Sequence, residues 1–257
     1  MTFVPLLASP NTGVIVTGGA SGLGQASAQA LAAVGRSVAI WDVNEQRARN
    51  VADKLHDAFS VATIGLGLDI SEPAGYAAAI VDSRKALGSI GGLVHAAGIV
   101  DTGSLDGVTV ESWDRGIAIH LRPVALLVQA LLPDLKANPG SAVVAFASIN
   151  ATLGNSVNPI YSAAKGGVLS LVRSLADRLS VDGIRINSVS PGQILTPMMQ
   201  PAIDALPEGF FERRILLGRI GNPEEIGRVV RFLLSDEASY ITAAEIVVDG
   251  GNISSQR

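Results

Sequence analysis

The sequence predicts an α/β fold built on a single doubly wound parallel sheet of about seven strands with helices on both faces. Short apolar runs alternate with longer helical stretches along the whole chain of 257 residues, and this alternation is typical of a parallel sheet covered on both sides. Most of the predicted strands read as apolar runs, as expected where both faces of the sheet are buried. No linker, low-complexity tract or charge block divides the chain, which predicts one domain over residues 1–257.

The individual elements follow in order from the same pattern. Strands are predicted at residues 13–17, 37–41, 61–66, 91–95, 141–147, 184–189 and 245–248. Helices are predicted at about residues 22–34, 44–57, 73–87, 111–136, 158–181 and 223–234. Since ligands of this architecture bind beyond the carboxyl ends of the strands, the residues that follow each strand are the candidates for function.

Closely spaced glycines follow the first predicted strand. Gly18, Gly22 and Gly24 stand between a β-branched run and an alanine-rich stretch that Gly35 ends. Glycines let a backbone approach a ligand closely, and a helix N-terminus attracts phosphate through its amides and dipole. Strand, tight turn and helix in this order therefore predict a dinucleotide-binding turn.

An acidic residue ends the second predicted strand. Asp42 follows the last glycine of the turn by eighteen residues, where a carboxylate can hold both ribose hydroxyls of an adenosine. The same charge repels a 2′-phosphate, and no Arg or Lys stands at Gly19, Ala20, Val43 or Asn44 to receive one. This pattern favours NAD over NADP as the cofactor.

Tyr161 and Lys165 lie four residues apart, with Ser148 thirteen residues upstream of the tyrosine. In a helix, a spacing of four puts the phenol and the ammonium on one face. A neighbouring cation favours phenolate and lowers the pKa of a tyrosine, which can then act as a general acid or base. The pair therefore predicts proton transfer.

Together these motifs resemble the short-chain dehydrogenase/reductase family, and the resemblance covers nearly the whole chain. Residues 17–24 are similar to its Thr-Gly-x-x-x-Gly-x-Gly turn, while Ser148, Tyr161 and Lys165 match its catalytic serine and Tyr-x-x-x-Lys. The other similar segments are residues 191–197, after the sixth strand, and 249–251, near the C-terminus. The resemblance implies a Rossmann-type fold that transfers a hydride between a secondary alcohol and NAD.

The roles of individual residues are implied by this resemblance. Tyr161 would remove the alcohol proton, Ser148 would steady the developing alkoxide, and Lys165 would lower the tyrosine pKa and bind the nicotinamide ribose. The implied cofactor-binding residues are Gly18, Ser21, Gly22, Leu23, Gly24, Asp42, Asp69, Ile70, Ala97, Gly98, Tyr161, Lys165, Pro191, Gly192, Ile194 and Thr196. Asp69 also has an alternative interpretation as the N-cap of the next helix.

Two histidines depart from the family pattern. His95 opens a His-Ala-Ala-Gly segment where the family usually has Asn-Asn-Ala-Gly. His120 stands at the family's fourth catalytic position. That position is usually an asparagine, which helps hold a water between the lysine and solvent. His120 either continues this relay in altered form or becomes charged near neutral pH and weakens the effect of Lys165 on Tyr161. Alternatively, the histidines are a paired replacement that preserves contact between the fourth strand and the following helix, or are tolerated polar fillers.

Composition limits the partners. With 19 basic against 23 acidic residues and no basic stripe, the chain lacks an electrostatic footprint for nucleic acid. Zero cysteines and three scattered histidines predict no disulfide and no metal site. Residues 1–16 lack the basic region of a leader, and the longest apolar stretch, residues 124–132, is far shorter than the ~20 residues of a membrane span. A soluble, cytoplasmic protein with no membrane partner is expected.

The segment after the sixth predicted strand and the apolar composition bear on the substrate site and on the assembly. Residues 197–217 correspond to the family's mobile lid over the substrate, and the prolines at 197, 201 and 207 are expected to break regular structure there. A hydrophobic fraction of 48% with only 16% charged residues suggests subunit burial, and the resemblance implies a homotetramer.

Three function classes follow. The first is an NAD-dependent oxidoreductase acting on a secondary alcohol, polyol or hydroxy acid and the corresponding ketone. The second is an NADPH-dependent carbonyl or 3-oxoacyl reductase. The third is a non-catalytic nucleotide-binding sensor, suggested by the two histidine departures.

Overall fold

The computed structural model describes residues 4–256, and its strands form one seven-stranded parallel sheet. The strands are β1 (Gly13–Thr17), β2 (Val38–Asp42), β3 (Thr63–Gly67), β4 (Ile90–His95), β5 (Ala142–Phe146), β6 (Arg185–Pro191) and β7 (Glu245–Val248). Their order across the sheet is β3-β2-β1-β4-β5-β6-β7. The predicted fold class is therefore confirmed.

Helices cover both faces of this sheet. The α-helices are α1 (Gly22–Ala32), α2 (Glu45–Phe59), α3 (Tyr76–Leu87), α4 (Val110–His120), α5 (Arg122–Ala137), α6 (Asn150–Leu153), α7 (Pro159–Ser180), α8 (Gln200–Ala205) and α9 (Pro223–Leu233). Short 3-10 turns lie at Pro73–Gly75, Glu212–Arg214, Asp236–Ala238 and Asn252–Ser254. Val14 and Val16 of β1 pack in one apolar core with α1, α2 and α9, while Ile15 packs in a second with α3, α5 and α7.

The order of the strands creates a cleft beside β1. The chain proceeds outward from β1 to β3 and then returns to place β4 on the other side of β1, where Thr17 pairs with His95. The loops after β1 and β4 therefore leave the sheet in opposite directions, and a ligand crevice forms at such a reversal. The glycine turn lies at this point.

The single helix predicted at residues 111–136 is two helices, α4 and α5, which meet at Leu121. Pro123 has no N–H, so it cannot donate the i→i−4 hydrogen bond to the carbonyl of Ile119. His95 Nε2 instead lies 3.1 Å from that carbonyl oxygen. The break therefore gives β4 a polar contact with the end of α4.

The short helices α6 and α8 lie outside the predicted set. In the segment 197–217, where the prolines were expected to break regular structure, α8 begins at Gln200 with Pro201 in its first turn. A proline is tolerated there because the first N–H groups of a helix have no intrahelical partner. Proline in this segment starts a helix rather than preventing one.

The stretch Val110–Ala137 is long and apolar enough, by length and composition, to cross a membrane, with a mean hydropathy of 1.5. In the fold it is divided between α4 and α5, and 44% of its most apolar 18-residue window is buried. Val124, Leu127 and Leu131 of α5 have no exposed surface, since they pack in the core with β4 and β5. Its hydropathy is therefore that of a core helix.

Candidate active site

The glycine turn after β1 is packed so closely that side chains do not fit in it. Gly18 has a φ of +62°, and a Cβ there would lie 2.7 Å from the Cα of Ala97. A Cβ on Gly24 would lie 2.2 Å from the carbonyl oxygen of Gly18. Ser21, at the N-cap of α1, makes no side-chain capping bond, which leaves the N-terminal amides of that helix available to an anion. The turn therefore fits the pyrophosphate of a dinucleotide.

The segment after β6 faces this turn across the cleft. A Cβ on Gly22, whose φ is +50°, would lie 3.5 Å from the Cγ2 of Thr196. Gly192 donates its N–H to Val248, and Ile194 pairs with Gly221 in an isolated bridge. The fold thus brings Gly22 and Thr196, two residues of the implied cofactor-binding set, close together.

Asp42 lies beside the glycine turn with both carboxylate oxygens engaged by backbone amides. Oδ2 accepts a hydrogen bond of 3.1 Å from the N–H of Ala20, and Oδ1 accepts one of 3.0 Å from the N–H of Asn44. The carboxylate is therefore held in place at the end of β2, on the side where an adenosine ribose would lie.

Asp69 and Ile70 follow β3 but differ in surroundings. Ile70 is buried, whereas Asp69 is exposed and accepts hydrogen bonds from the N–H and the hydroxyl of Ser71, which lower its pKa. These bonds form a turn before the 3-10 segment, so Asp69 is not the N-cap of α3, whose N-cap is Gly75. The N-cap interpretation is wrong, and the carboxylate stays ionised beyond the end of β3.

Ser148, Tyr161 and Lys165 come together where β5 and α7 meet. Lys165 is buried, and its Nζ lies 5.6 Å from the centroid of the Tyr161 ring while donating a hydrogen bond of 2.7 Å to the carbonyl of Phe146. Ser148 is also buried, and its hydroxyl hydrogen-bonds with Tyr161. The three residues therefore share one site, on the opposite side of the cleft from the glycine turn.

The pKa values at this site differ from the prediction in one respect. Burial raises the pKa of Tyr161, and the hydrogen bond with Ser148 opposes that shift only in part. Burial also lowers the pKa of Lys165 to about 7, because a charged ammonium is disfavoured away from water. Lys165 was expected to lower the pKa of Tyr161, but here its ammonium is directed to Phe146 and is only partly charged at neutral pH.

His120 lies at the end of α4 with its ring edge-on to Tyr161, 5.2 Å between centroids and 88° between planes. Its Nε2 is 2.8 Å from the carbonyl oxygen and 3.2 Å from the nitrogen of Ile99, while Nδ1 has no hydrogen-bond partner among residues 4–256. Burial, with repulsion from Lys165, lowers the pKa of His120 to about 2. The alternative that His120 becomes charged near neutral pH is therefore wrong.

His95 links β4 to two other elements. Its Nδ1 lies 2.9 Å from the hydroxyl of Thr17, which also accepts hydrogen bonds from the amides of Ala96 and Ala97. Because that oxygen accepts from both amides, its proton points to Nδ1, and Nε2 is left to donate to Ile119. Burial lowers the pKa of His95 to about 3. Its bond to Ile119 is the contact between strand and helix that the paired-replacement interpretation expects.

Two contacts of the site were not predicted. The carbonyl of Phe146 accepts the ammonium of Lys165, and the carboxylate of Asp101 accepts the backbone N–H of Tyr161 at 3.1 Å. Backbone groups carry no signal in the sequence, and Asp101 stands 60 residues from Tyr161 in an irregular loop. The N-terminal proline of α7 is the one hint that its first turn needs an outside partner.

A cavity of about 540 Å³ lies between the cleft and α8. It is lined by Leu195, Thr196, Pro197, Gln200, Pro201 and Asp204. Since Thr196 also approaches Gly22, this cavity adjoins the glycine turn and lies largely in the segment predicted as a lid.

Known proteins resemble the chain over nearly its full length. Residues 18–252 match a family model described as Enoyl-(Acyl carrier protein) reductase. A 2-(S)-hydroxypropyl-CoM dehydrogenase from Xanthobacter autotrophicus is 35% identical over 246 residues, covering 94% of this chain and 96% of the relative. A 3-alpha-(or 20-beta)-hydroxysteroid dehydrogenase from Mycobacterium bovis is 34% identical over 239 residues, or 93% and 88% of the two chains.

Solved structures agree with this similarity. A short-chain type dehydrogenase/reductase from Mycobacterium marinum superposes with a TM-score of 0.87 at 28% identity, covering 94% of this chain and 95% of the other. An L-sorbose reductase from Gluconobacter frateurii, solved with NADPH and L-sorbose, superposes with a TM-score of 0.88 at 27% identity, with coverage of 95% and 97%.

Proposed function

The chain belongs to the short-chain dehydrogenase/reductase family and is an oxidoreductase acting on hydroxyl groups, and from this premise we propose that it transfers a hydride between a secondary alcohol and the corresponding ketone with NAD as its cofactor. Polyols and hydroxy acids belong to the same substrate class. The observation that carries the proposal is that the buried side chains of Ser148 and Lys165 meet the half-buried Tyr161 beside a cleft that fits a dinucleotide.

The proposed mechanism assigns a separate task to each side chain. A bound nicotinamide supplies the acceptor or donor of the hydride. Tyr161 takes the proton of the alcohol in oxidation and returns it in reduction. Ser148, which hydrogen-bonds with Tyr161, donates to the same substrate oxygen and steadies its developing charge. Lys165, in the fraction of the enzyme in which its amine is protonated, would favour the tyrosine in its ionised form.

The proposed cofactor site uses both sides of the cleft. Gly18, Ser21, Gly22, Leu23 and Gly24 would hold the pyrophosphate, and Asp42 the adenosine ribose. On the adenine side, Asp69 and Ile70 would contribute, with Ala97 and Gly98 after β4. Tyr161, Lys165, Pro191, Gly192, Ile194 and Thr196 would hold the nicotinamide half. Support comes from the close approach of Gly18 to Ala97 and of Gly22 to Thr196.

NAD is proposed over NADP because Asp42 is a fixed negative charge where the extra phosphate of NADP would lie. Two backbone amides hold the carboxylate there, and Gly19, Ala20, Val43 and Asn44 offer no compensating cation. The L-sorbose reductase solved with NADPH shows that a similar fold can accept the other cofactor, so the preference depends on this local charge.

We expect the enzyme to have a higher kcat/KM with NAD than with NADP. Asp42→Asn is expected to reduce that preference by about tenfold or more, because the repulsion between two charges about 4 Å apart costs several kcal/mol near a protein surface. Steady-state kinetics with both cofactors measures this. Asp53→Asn, which removes an exposed carboxylate from α2, serves as the control. Higher activity of the wild type with NADPH would contradict the proposal and favour the reductase alternative.

His120 is proposed to take the place of the family asparagine in a proton relay. Its Nε2 is occupied by Ile99, so the buried Nδ1 without a partner is the atom that would hold the relay water. We expect His120→Ala to lower turnover and to shift the pH–rate profile, with His56→Ala on α2 as the control. An unchanged profile for His120→Ala would refute the relay.

The proposal extends to the domain organisation, the assembly and the location of the protein. Residues 1–257 would form one domain with a substrate lid at about residues 197–217, in keeping with the cavity beside α8. The protein would act in the cytoplasm as a homotetramer on a small-molecule alcohol or ketone, without nucleic acid or membrane partners. Its net charge of −4 supports the absence of a nucleic-acid partner.

A further inference from the structure

The backbone N–H of Tyr161, in the first turn of α7, has no hydrogen-bond acceptor within its own helix. Tyr161 is the third residue of α7, which begins with Pro159, and the side chain of the N-cap residue Asn158 makes no capping bond. The acceptor four residues earlier would be the carbonyl of Val157, but Val157 lies before the helix, and its oxygen accepts the N–H of Ser104 at 3.0 Å rather than that of Tyr161. The amide of Tyr161 therefore needs an acceptor from outside the helix.

Residues 101–104, which we call the clasp, supply that acceptor. Asp101 Oδ1 accepts the N–H of Tyr161 at 3.1 Å. At the other end of the clasp, Ser104 donates its N–H to Val157 at 3.0 Å and its hydroxyl to the carbonyl of Ser156 at 2.7 Å. The clasp therefore makes three hydrogen bonds to the start of α7 and to the loop just before it.

The chain that carries the clasp is fixed on its other side by α4. Both backbone polar groups of Ile99 lie within hydrogen-bond distance of His120 Nε2, and a Cβ on Gly98 would lie 2.8 Å from the His120 ring. His120 also packs edge-on against the Tyr161 ring. Tyr161 is thus held at its backbone by Asp101 and at its ring by His120, and both contacts depend on residues 98–104.

We propose that Asp101 is a positioning residue for the proposed reaction, because its carboxylate oxygen fixes the backbone of Tyr161 and thereby the place of the phenol oxygen relative to Ser148. An N-cap on another residue of the first turn would stabilise α7 without acting on the chemistry. Here the capped amide belongs to the reacting residue itself, so a shift of the cap moves the phenol directly. Displacements of about 1 Å at a reacting group are enough to lower rates strongly.

The test compares the acceptor oxygen of Asp101 with its charge. Asp101→Asn keeps an oxygen that can accept the Tyr161 amide, whereas Asp101→Ala removes it. Asp106→Ala, at an exposed acid of the same loop, is the matched control. All activities are measured below the melting temperature of each variant. We expect Asp101→Ala to lower kcat about tenfold and to leave the Kd for NAD unchanged. The kcat values of Asp101→Asn and Asp106→Ala are expected to stay within about twofold of wild type.

A kcat of Asp101→Ala equal to wild type in folded protein would overturn the proposal, as would an equal loss in Asp101→Asn. The kinetic part rests on the proposed function, but hydrogen–deuterium exchange does not. The amide of Tyr161 is expected to exchange slowly in wild type and in Asp101→Asn. Rapid exchange of this amide in the folded wild type would overturn the proposal, even if Asp101→Ala does not fold. Slow exchange together with no turnover of any alcohol would instead reject the proposed function and leave the hydrogen bond between Asp101 and Tyr161 intact.

Discussion

Tyr161→Phe is expected to lower turnover by about a thousandfold, because the proposed reaction needs a proton carrier at this oxygen and general acid–base catalysis typically contributes factors of this size. The substitution removes one oxygen and keeps the ring that packs against His120. The fold and the cofactor cleft are therefore expected to be unchanged. The raised pKa of Tyr161 further predicts that oxidation by the wild type accelerates towards alkaline pH, since the phenol must ionise to accept the proton.

Turnover is measured from the absorbance of the reduced nicotinamide, and binding of NAD from the fluorescence of Trp41, which precedes Asp42 in β2. Tyr240→Phe is the matched control, since the side chain of Tyr240 is fully exposed and distant in sequence from the motifs. If Tyr161→Phe kept turnover within tenfold of wild type, the tyrosine would not be the proton carrier. If the wild type bound NAD without turning over any secondary alcohol, the sensor alternative would gain support.

Lys165→Met is expected to lower turnover by about a hundredfold and, at the same time, to change how stability depends on pH. The side chain is 4% exposed, and burial lowers its pKa from 10.5 to about 7. Between these two values the unfolded chain binds a proton that the folded chain does not, so the free energy of unfolding of the wild type rises with pH in this window. Methionine removes that dependence.

The stability of Lys165→Met relative to wild type is therefore expected to be highest below pH 7 and to decline as the pH approaches 10.5. Loss of the hydrogen bond to Phe146 costs about 1 kcal/mol at every pH and leaves the trend unchanged. Urea unfolding at several pH values measures the difference, with Lys54→Met, at an exposed lysine of α2, as the control. A difference that stayed constant across the window would show that Lys165 is not perturbed by burial.

The strands were the most predictable part of the fold. β1, β4 and β5 are largely apolar runs that are buried along their whole length, whereas the edge strands β3 and β7 are only partly buried. The predicted bounds of all seven strands agree with the structure to within a few residues. The break between α4 and α5 was missed because the apolar pattern continues across it. Pro123 lies just after the break, and the partner that replaces its missing N–H, His95, is distant in sequence and becomes a neighbour only when β4 packs against α4.

At the candidate site, the sequence predicted which side chains meet but not their ionisation. Ser148, Tyr161 and Lys165 were expected together because of their spacing and their family resemblance. Their pKa values depend on burial, which the sequence does not reveal at these positions. The same reason explains His120: its residue type is compatible with a charge at neutral pH, and only its burial beside Lys165 prevents one. Asp101 was missed since its partner is a backbone amide.

The return of the chain from β3 to β4 has a consequence for how such a protein diverges. Gly18, Gly22 and Asp42 lie on the β1–β2 side of the cleft, while Ser148, Tyr161 and Lys165 belong to β5 and α7 on the other. The cavity beside α8 is lined by a third segment, after β6. Asp42 and the residues of α8 thus stand on separate segments, so substitutions that alter the preference for a cofactor and substitutions that alter the preference for a substrate can arise at different places in the fold.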